Sequence, residues 1–409
     1  MCSGGGCEHP PVTTEATVAR ARRLTPALRE DERVTPLELF FDLVFVLAIT
    51  QCTALMASHP TWEGLGRGLV VLGLLWWSWV GYAWLTSVVD PEEGAVRLAI
   101  FAAMAALLVT ALCVPRAFDN NGLEFAVAYG GVRFAQVALL GLAARGDPNM
   151  SHSVATLAGS TALGVAIVVG GSFANPGAQL AIWAVALVLD MGGPFFFGTE
   201  GWKLVPGHFA ERHGLILLIA LGESIVAIGV GAEHGVDAGV IGAAVLGTAL
   251  AATIWWLYFD VVAIVAARRL AAAEPGRPQN AMARDSYSYL HFPMVAGIVL
   301  IALGMKKTLG HVGDPLHTVP AAALLGGTAL YLLAHVAFRY RHVHTLNTRR
   351  LGLAILLVAL IPLGHHVAAL ALLAILVALL TALIVIETVS YGESRARVRH
   401  QLEGEPTPD

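Results

Sequence analysis

The chain alternates between long apolar segments and short polar connections along most of its length. A helix needs about 20 predominantly apolar residues to cross roughly 30 Å of hydrocarbon, and segments of that length predict twelve membrane-spanning helices. The eighth segment is long and is expected to tilt or to extend beyond the membrane. The predicted spans are 36–57, 66–88, 97–115, 122–144, 152–173, 177–198, 213–233, 238–267, 289–309, 316–338, 350–364 and 366–389.

The composition agrees with a membrane protein and excludes several soluble classes. Hydrophobic residues make up 56% of the 409 residues, whereas Asp, Glu, Lys and Arg together make up only 13%. Soluble domains contain about 25% charged residues. The chain is therefore predicted to be an all-α polytopic membrane protein, and a secreted disulfide scaffold, a nucleic-acid-binding protein and a disordered protein are excluded. Its predicted partners are the lipid bilayer and a small solute or ion, with no nucleic acid.

The distribution of basic residues predicts the orientation. If the N-terminus lies in the cytoplasm, twenty of the 25 Lys and Arg residues fall in cytoplasmic segments, four fall in outer loops, and Arg133 falls inside a span. This bias is the one that the positive-inside rule of membrane proteins requires, so both termini are predicted to be cytoplasmic. Residues 1–34 form a predicted disordered head without a cleavable signal peptide, and residues 391–409 form a predicted polar tail.

Two similar segments indicate that the chain consists of two halves. The string FFDLVFVLAI around Asp42 resembles LGESIVAIGV around Glu223, and a Trp pair follows the acid after 34 and 32 residues respectively. Six helices per half is an even number, so the halves 35–205 and 206–390 are predicted to be parallel repeats related by an axis along the membrane normal. The alternative is a chance similarity between apolar strings. A true repeat would place a polar site at the interface between the halves.

Several ionisable residues lie inside predicted spans, where each costs about 2.5–3.5 kcal/mol and requires a partner, water or a proton. Glu38 and Asp42 are four residues apart and therefore share a helical face. Because one deep base, Arg133, faces four deep acids, not every acid can have its own cation. The predicted substrate- or ion-coupling residues are Asp42, Glu38, Arg133, Gln136, Glu223, Asp190 and Asp260.

These residues have two interpretations. One is an interior salt bridge, such as Asp42 with Arg133, that only holds helices together. The other is a set of carboxyl groups that exchange protons, because burial favours the neutral form of a carboxyl group. Such groups serve proton coupling and general acid–base catalysis equally well, so the residues alone do not separate transport from catalysis.

Two further sets of residues have a functional and a structural interpretation. The segment HFAERHG before the seventh span forms either a cytoplasmic gate or a solvated helix start, and its candidate gate residues are Glu211, Arg212 and His213. The Trp pairs form either an aromatic wall for a ligand or packing and interfacial anchors. These pairs are Trp76, Trp77, Trp255 and Trp256.

No cofactor or metal site is predicted. The head contains Cys2, Cys7 and His9, which lack the second ligand pair of a zinc site. The sequence also contains no phosphate-binding glycine loop, no HExxH motif and no GxSxG motif.

The chain resembles the bacterial low temperature requirement A family of integral membrane proteins. The similar stretches are TPLELFFDLVFVLAITQ at 35–51, WWSWVGYAWLTSVVD at 76–90, HFAERHGLILLIALGESIVAIG at 208–229 and WWLYFD at 255–260. The resemblance implies a plasma-membrane protein linked by the family's name to growth at low temperature, and it implies no defined substrate. The family's motif residues correspond to Glu38, Phe40, Phe41, Asp42, Arg97, Glu211, Arg212, Gly222 and Glu223.

Three functions are compatible with the sequence, and a carrier is preferred. In the carrier, Asp42, Arg133 and Glu223 would form the coupling or substrate site. Alternatively, an intramembrane enzyme would use Asp42 or Glu223 as a general base on a lipid-soluble substrate, with Arg133 as an anion clamp. In a non-catalytic membrane stress protein, the polar residues would only hold helices together. A carrier requires a continuous polar path to both faces, whereas an enzyme needs only a single lateral opening to lipid. A purely structural network pairs every acid and leaves no cavity.

Overall fold

The computed structural model describes residues 33–92, 94–196, 201–231 and 237–403. The predicted head lies almost entirely outside the described residues, and so do its three metal-ligand candidates. The described part of the chain is helical and contains no strand. The predicted all-α membrane fold is thereby confirmed.

Twelve helices in the described residues are long and apolar enough to cross a membrane, as the sequence predicts. We number them α1 to α12 in chain order. They are Pro36–Ser58, Trp62–Thr86, Gly94–Arg116, Gly122–Ala143, Pro148–Gly171, Pro176–Phe195, Pro206–Val230, Ala238–Ala271, Arg277–Gly310, Thr318–Val343, Thr348–His365 and Ala369–Gly392.

Local sequence signals set where α1 begins. Pro36 occupies the first turn, where its missing N–H costs nothing, and Thr35 caps the helix by accepting a hydrogen bond from the backbone N–H of Glu38. The Glu38 side chain in turn accepts a 2.9 Å hydrogen bond from the backbone N–H of Thr35, which completes a capping box. The cap therefore fixes the Glu38 carboxylate at the beginning of the helix.

Two helices begin at least seven residues earlier than their apolar pattern predicts. Helix α7 begins at Pro206, not near residue 213, and α9 begins at Arg277, not near residue 289. The additional turns are polar in sequence. Several polar side chains near these helix starts are nevertheless buried in the bundle, since His208, Arg212 and Ser288 are each at most 1% exposed. Hydropathy cannot detect a polar turn that the fold buries.

Six helix ends meet on one face of the bundle. Contacts between connections bring together the starts of α1, α5, α7 and α9 and the ends of α2 and α10, and we call this side the N-terminal face. The contacts join Val34 to Glu211, Ser87 to Val205, Lys203 to Asp147, Asn280 to Trp202, and Arg341 to Asp285. The sequence predicts that this face is cytoplasmic.

Helices α2, α9 and α10 form the centre of the bundle and are the most buried of the twelve. Helices α9 and α10 approach closely at Gly297, where a Cβ atom would lie 2.6 Å from the carbonyl oxygen of Gly327. Glycine permits this backbone contact, as is common between membrane helices. The two predicted halves meet where α1 and α2 pack against α7 and α9. The parallel repeat itself stays a prediction.

Candidate functional site

The seam between α1 and α7 contains a buried cluster of charged side chains. The Oε1 atom of Glu38 lies 3.0 Å from Nη1 of Arg212 and 2.8 Å from Nε2 of His208. Nη1 of Arg212 also donates to the hydroxyl of Thr86 at the end of α2. All three members of the Glu38–Arg212–His208 cluster are at most 1% exposed. The interpretation of this segment as a solvated helix start is therefore wrong for His208, Arg212 and the equally buried His213.

Asp42 extends this cluster by one helical turn. Its Oδ1 atom accepts a 3.1 Å hydrogen bond from Nη2 of Arg212 and a 2.8 Å hydrogen bond from Nε1 of Trp79. Its Oδ2 atom is buried and has no hydrogen-bond partner among the described residues. A single arginine therefore bridges two carboxylates, one of which keeps an open oxygen.

Glu223 lies farther along the same seam. Its carboxylate accepts a short hydrogen bond from the hydroxyl of Thr50 on α1. Thr50 follows Asp42 by eight residues, which corresponds to about 12 Å along a helix. The intervening α1 side chains Phe45 and Ile49 are fully buried and apolar. The seam therefore carries acids at two levels, separated by an apolar layer.

Arg133 pairs with Asp190 and not with Asp42. Its Nη2 atom lies 3.1 and 3.0 Å from the two carboxylate oxygens of Asp190, while Nη1 donates to Gln136 at 3.0 Å and to the carbonyl oxygen of Trp77 at 3.3 Å. The hydroxyl of Thr161 accepts a further 3.1 Å hydrogen bond from Nη2. The salt bridge proposed from the sequence between Asp42 and Arg133 is absent, because each residue has its own partner.

A cavity of about 80 Å³, the vestibule, begins beside Arg133 and Gln136. It extends to Trp202, in the connection between α6 and α7 on the N-terminal face. Its walls include the rings of Trp77 and Trp84, and hydroxyl groups from α5 contribute polarity. Ligand pockets commonly combine mostly apolar walls with a few polar groups. The lining of the vestibule is therefore of the kind that binds a small solute.

Helix α2 connects the vestibule to the charged seam. Trp79 donates to Asp42 on one side of the helix, whereas the carbonyl oxygen of Trp77 accepts from Arg133 on the other side. A displacement of α2 that breaks one of these bonds would therefore affect the other.

The remaining predicted site residues lie elsewhere. Glu211 is exposed and accepts a hydrogen bond from the backbone N–H of Val34, so the three candidate gate residues do not form one cluster. Trp76 and Trp77 are buried, whereas Trp255 and Trp256 are 41% and 39% exposed on α8. The two Trp pairs consequently do not form one aromatic wall.

Sequence reasoning also missed one buried ion pair. Arg350 and Glu387 form a bidentate pair with hydrogen bonds of 3.0 and 2.8 Å between α11 and α12. With Arg212 and Arg350 both buried, the expectation of one deep base for four deep acids is wrong. Arg350 is the first residue of the predicted span 350–364, next to Arg349, and is counted among the cytoplasmic basic residues, so its sequence carried no signal of burial. Within the described ranges, no group of three or more His, Cys, Asp or Glu residues is arranged to hold a metal ion.

Comparisons with known proteins agree with the membrane fold. A family model described as bacterial low temperature requirement A protein (LtrA) matches residues 33–385. The chain is also 31% identical over 313 residues to an uncharacterized protein of Rhizobium meliloti (strain 1021), and the match covers 72% of this chain and 74% of that protein. No solved structure matches the chain.

Proposed function

Because this chain belongs to the bacterial low temperature requirement A family, whose name and uncharacterized relative specify no reaction, we propose from its geometry that it is a proton-coupled membrane carrier. The vestibule binds a small solute, and the Asp42 carboxylate is the proton-accepting group. In this proposal, the ionised Asp42, through its bonds to Arg212 and Trp79, holds the bundle in the state in which the vestibule extends to the N-terminal face.

The observation that carries this proposal is the open oxygen of Asp42. A structural salt bridge would use both carboxylate oxygens, as the pair of Asp190 with Arg133 does. Oδ2 of Asp42 is instead buried without a partner among the described residues, although an unsatisfied buried polar atom costs about 1–3 kcal/mol. One open oxygen suits a proton, whereas hard metal cations take six or more oxygen ligands.

The hydrogen bonds of Asp42 provide a route from proton binding to movement. A neutral Asp42 holds Arg212 more weakly, because hydrogen bonds between charged groups are roughly twice as strong as neutral ones. Arg212 then interacts chiefly with Glu38, which is fixed by its capping box. The bond from Trp79 to Asp42 weakens at the same time, which releases one side of α2. The vestibule wall on the opposite side of α2 changes in response.

The vestibule favours transport over acid–base catalysis. Among the described residues that line it, there is no Asp, Glu, His or Cys side chain that could act as a general base. Its charged groups are Arg133, which is paired with Asp190, and Arg284, which is paired with Asp285. These groups are suited to bind and orient an anionic or polar portion of a solute. The enzyme interpretation would require a reactive group in this position.

Proton uptake by Asp42 can be observed by infrared difference spectroscopy of the purified protein in lipid. We expect acidification to produce a carboxylic-acid C=O band that is missing in Asp42→Asn and present in Asp119→Asn, which changes an exposed acid. The Asp42→Asn variant should fold, because its amide oxygen still accepts from Trp79 while Arg212 keeps Glu38. If the spectrum of Asp42→Asn equals that of the wild type at every pH at which the protein is folded, Asp42 does not take up a proton and the coupling role is excluded.

A further inference from the structure

A second cleft opens on the N-terminal face, and none of the described residues that line it also lines the vestibule. Two adjoining cavities of about 380 and 240 Å³ share Val261, Val262 and Arg339 as lining residues. The cleft forms because α8 is interrupted after Phe259 and continues as a short helix, Val262–Ala271. We call it the α8–α10 cleft.

Helix α10 lines this cleft with a row of basic side chains. His335, Arg339 and His342 are spaced at i, i+4 and i+7, so they share one helical face over about 10 Å. His335 and His342 are only 1% and 6% exposed. Nevertheless, Nε2 of His335 and both ring nitrogens of His342 have no hydrogen-bond partner among the described residues. Buried polar atoms are normally satisfied, so these nitrogens indicate a missing ligand.

The neighbouring Arg350 determines which His335 nitrogen carries a proton. Nη1 of Arg350 lies 3.0 Å from Nδ1 of His335, and a guanidinium can only donate. Nδ1 of His335 is therefore the acceptor, and Nε2 carries the hydrogen in the neutral ring. The unpaired atom is thus a buried N–H donor, which requires an acceptor such as a ligand oxygen.

The charges in the cleft leave Arg339 as the available cation. The carboxylate of Glu387 is occupied by the bidentate contact with Arg350. Asp260, the other acid in the cleft, also has a partner. Arg339 donates from Nε to the hydroxyl of Thr345, whereas its two Nη groups make no hydrogen bond with the described residues. A guanidinium with free Nη donors suits the oxygens of a phosphoryl group.

From this arrangement we infer that the α8–α10 cleft binds a phosphoryl group through Arg339, His335 and His342. Trp256 and Tyr391 line the same cleft and are 39% and 45% exposed, as is typical of residues at the level of lipid headgroups. Basic pockets between helices on the cytoplasmic side are suited to phospholipid headgroups. A soluble phosphorylated compound offers the same chemistry, and the two sources are separated by experiment. The inference does not depend on the proposed transport function.

The test measures the thermal unfolding midpoint of the purified full-length protein in detergent at increasing concentrations of added compound. The probes are dioctanoyl phosphatidylglycerol, dioctanoylglycerol without phosphate, glycerol 3-phosphate and inorganic phosphate. A ligand that binds the folded state raises the midpoint in a saturable manner. We expect saturable stabilisation by at least one phosphate-bearing probe and none by dioctanoylglycerol. Stabilisation by phosphatidylglycerol alone identifies a lipid site, whereas stabilisation by the soluble phosphates identifies a soluble ligand.

Two variants and one control locate the binding. Arg339→Gln and His342→Phe should each weaken the apparent affinity at least tenfold, and His342→Phe breaks no hydrogen bond with the described residues. Arg145→Gln removes an exposed charge at the end of α4 and should bind as the wild type does. The inference is overturned if no phosphate-bearing probe stabilises the wild type, if both variants keep wild-type affinity, or if Arg145→Gln loses as much affinity as they do.

Discussion

Replacing Arg212 by glutamine is expected to destabilise the folded protein severely. Arg212 bridges Glu38 at 3.0 Å and Asp42 at 3.1 Å, so its removal leaves two buried carboxylates without their shared cation. Loss of one partner from a buried ion pair costs about 3–5 kcal/mol, which is a large fraction of the 5–15 kcal/mol stability of a typical protein. We expect little monodisperse protein after detergent extraction and a clearly lowered thermal midpoint.

A matched variant for the Arg212→Gln experiment neutralises Glu38, Asp42 and Arg212 together. In the triple variant Glu38→Gln, Asp42→Asn and Arg212→Gln, no buried charge of this trio remains, so most of the folded yield should return. Arg116→Gln, which removes an exposed arginine, should leave the yield unchanged. Equal yields of Arg212→Gln and the wild type would show that Arg212 does not hold the seam together.

Replacing Arg133 by glutamine should destabilise the folded protein to a similar extent, but one additional substitution should restore its stability. Arg133 contacts one acid, Asp190, with both oxygens of that carboxylate, and both side chains are buried. The single variant should again lose about 3–5 kcal/mol, because the Asp190 charge stays buried. Adding Asp190→Asn removes that charge and should restore most of the folded yield, as measured by size-exclusion chromatography and thermal unfolding.

The comparison of the two arginines separates their roles. In the Arg212→Gln background, neither Glu38→Gln nor Asp42→Asn alone should restore the yield, since one carboxylate would still be unpaired. If Asp190→Asn does not improve Arg133→Gln, the main contribution of Arg133 comes from its hydrogen bonds to Gln136, Thr161 and the carbonyl oxygen of Trp77 and not from the ion pair.

The helix pattern could be predicted from the sequence because bilayer thickness sets the length of an apolar span. All twelve predicted spans correspond to helices of the structure. The limits of α7 and α9 were less predictable, since tertiary packing buries polar side chains near their starts, such as His208 and Gln279. Residues near the middle of a span, such as Asp42, Arg133 and Asp190, were recognisable as candidates because charges there are costly.

The partners of these residues could not be predicted, because pairing depends on which helices are neighbours. Arg212 and Arg350 lie near helix ends, where a basic residue usually marks the cytoplasmic side and carries no signal of burial. The α8–α10 cleft was likewise hidden, since it depends on an interruption of α8 that hydropathy reads as one continuous span. The sequence also contained no sign that His335 and His342 could bind a ligand, because their unpaired ring nitrogens are a feature of the folded structure.

Sided cysteine labelling tests the central claim, alternating access controlled by Asp42, most directly. In a background without the four native cysteines, Ser160→Cys places a thiol in the vestibule wall, and Ser224→Cys places one next to Glu223, on the part of α7 remote from the N-terminal face. A small membrane-impermeant thiol reagent is applied from each side of oriented vesicles, with and without Asp42→Asn, which mimics the protonated residue. The account predicts that Asp42→Asn slows labelling of Ser160→Cys from the N-terminal face several-fold and accelerates labelling of Ser224→Cys from the opposite face. Unchanged rates at both positions in a well-folded Asp42→Asn variant would contradict the carrier and identify the charged seam as a structural network.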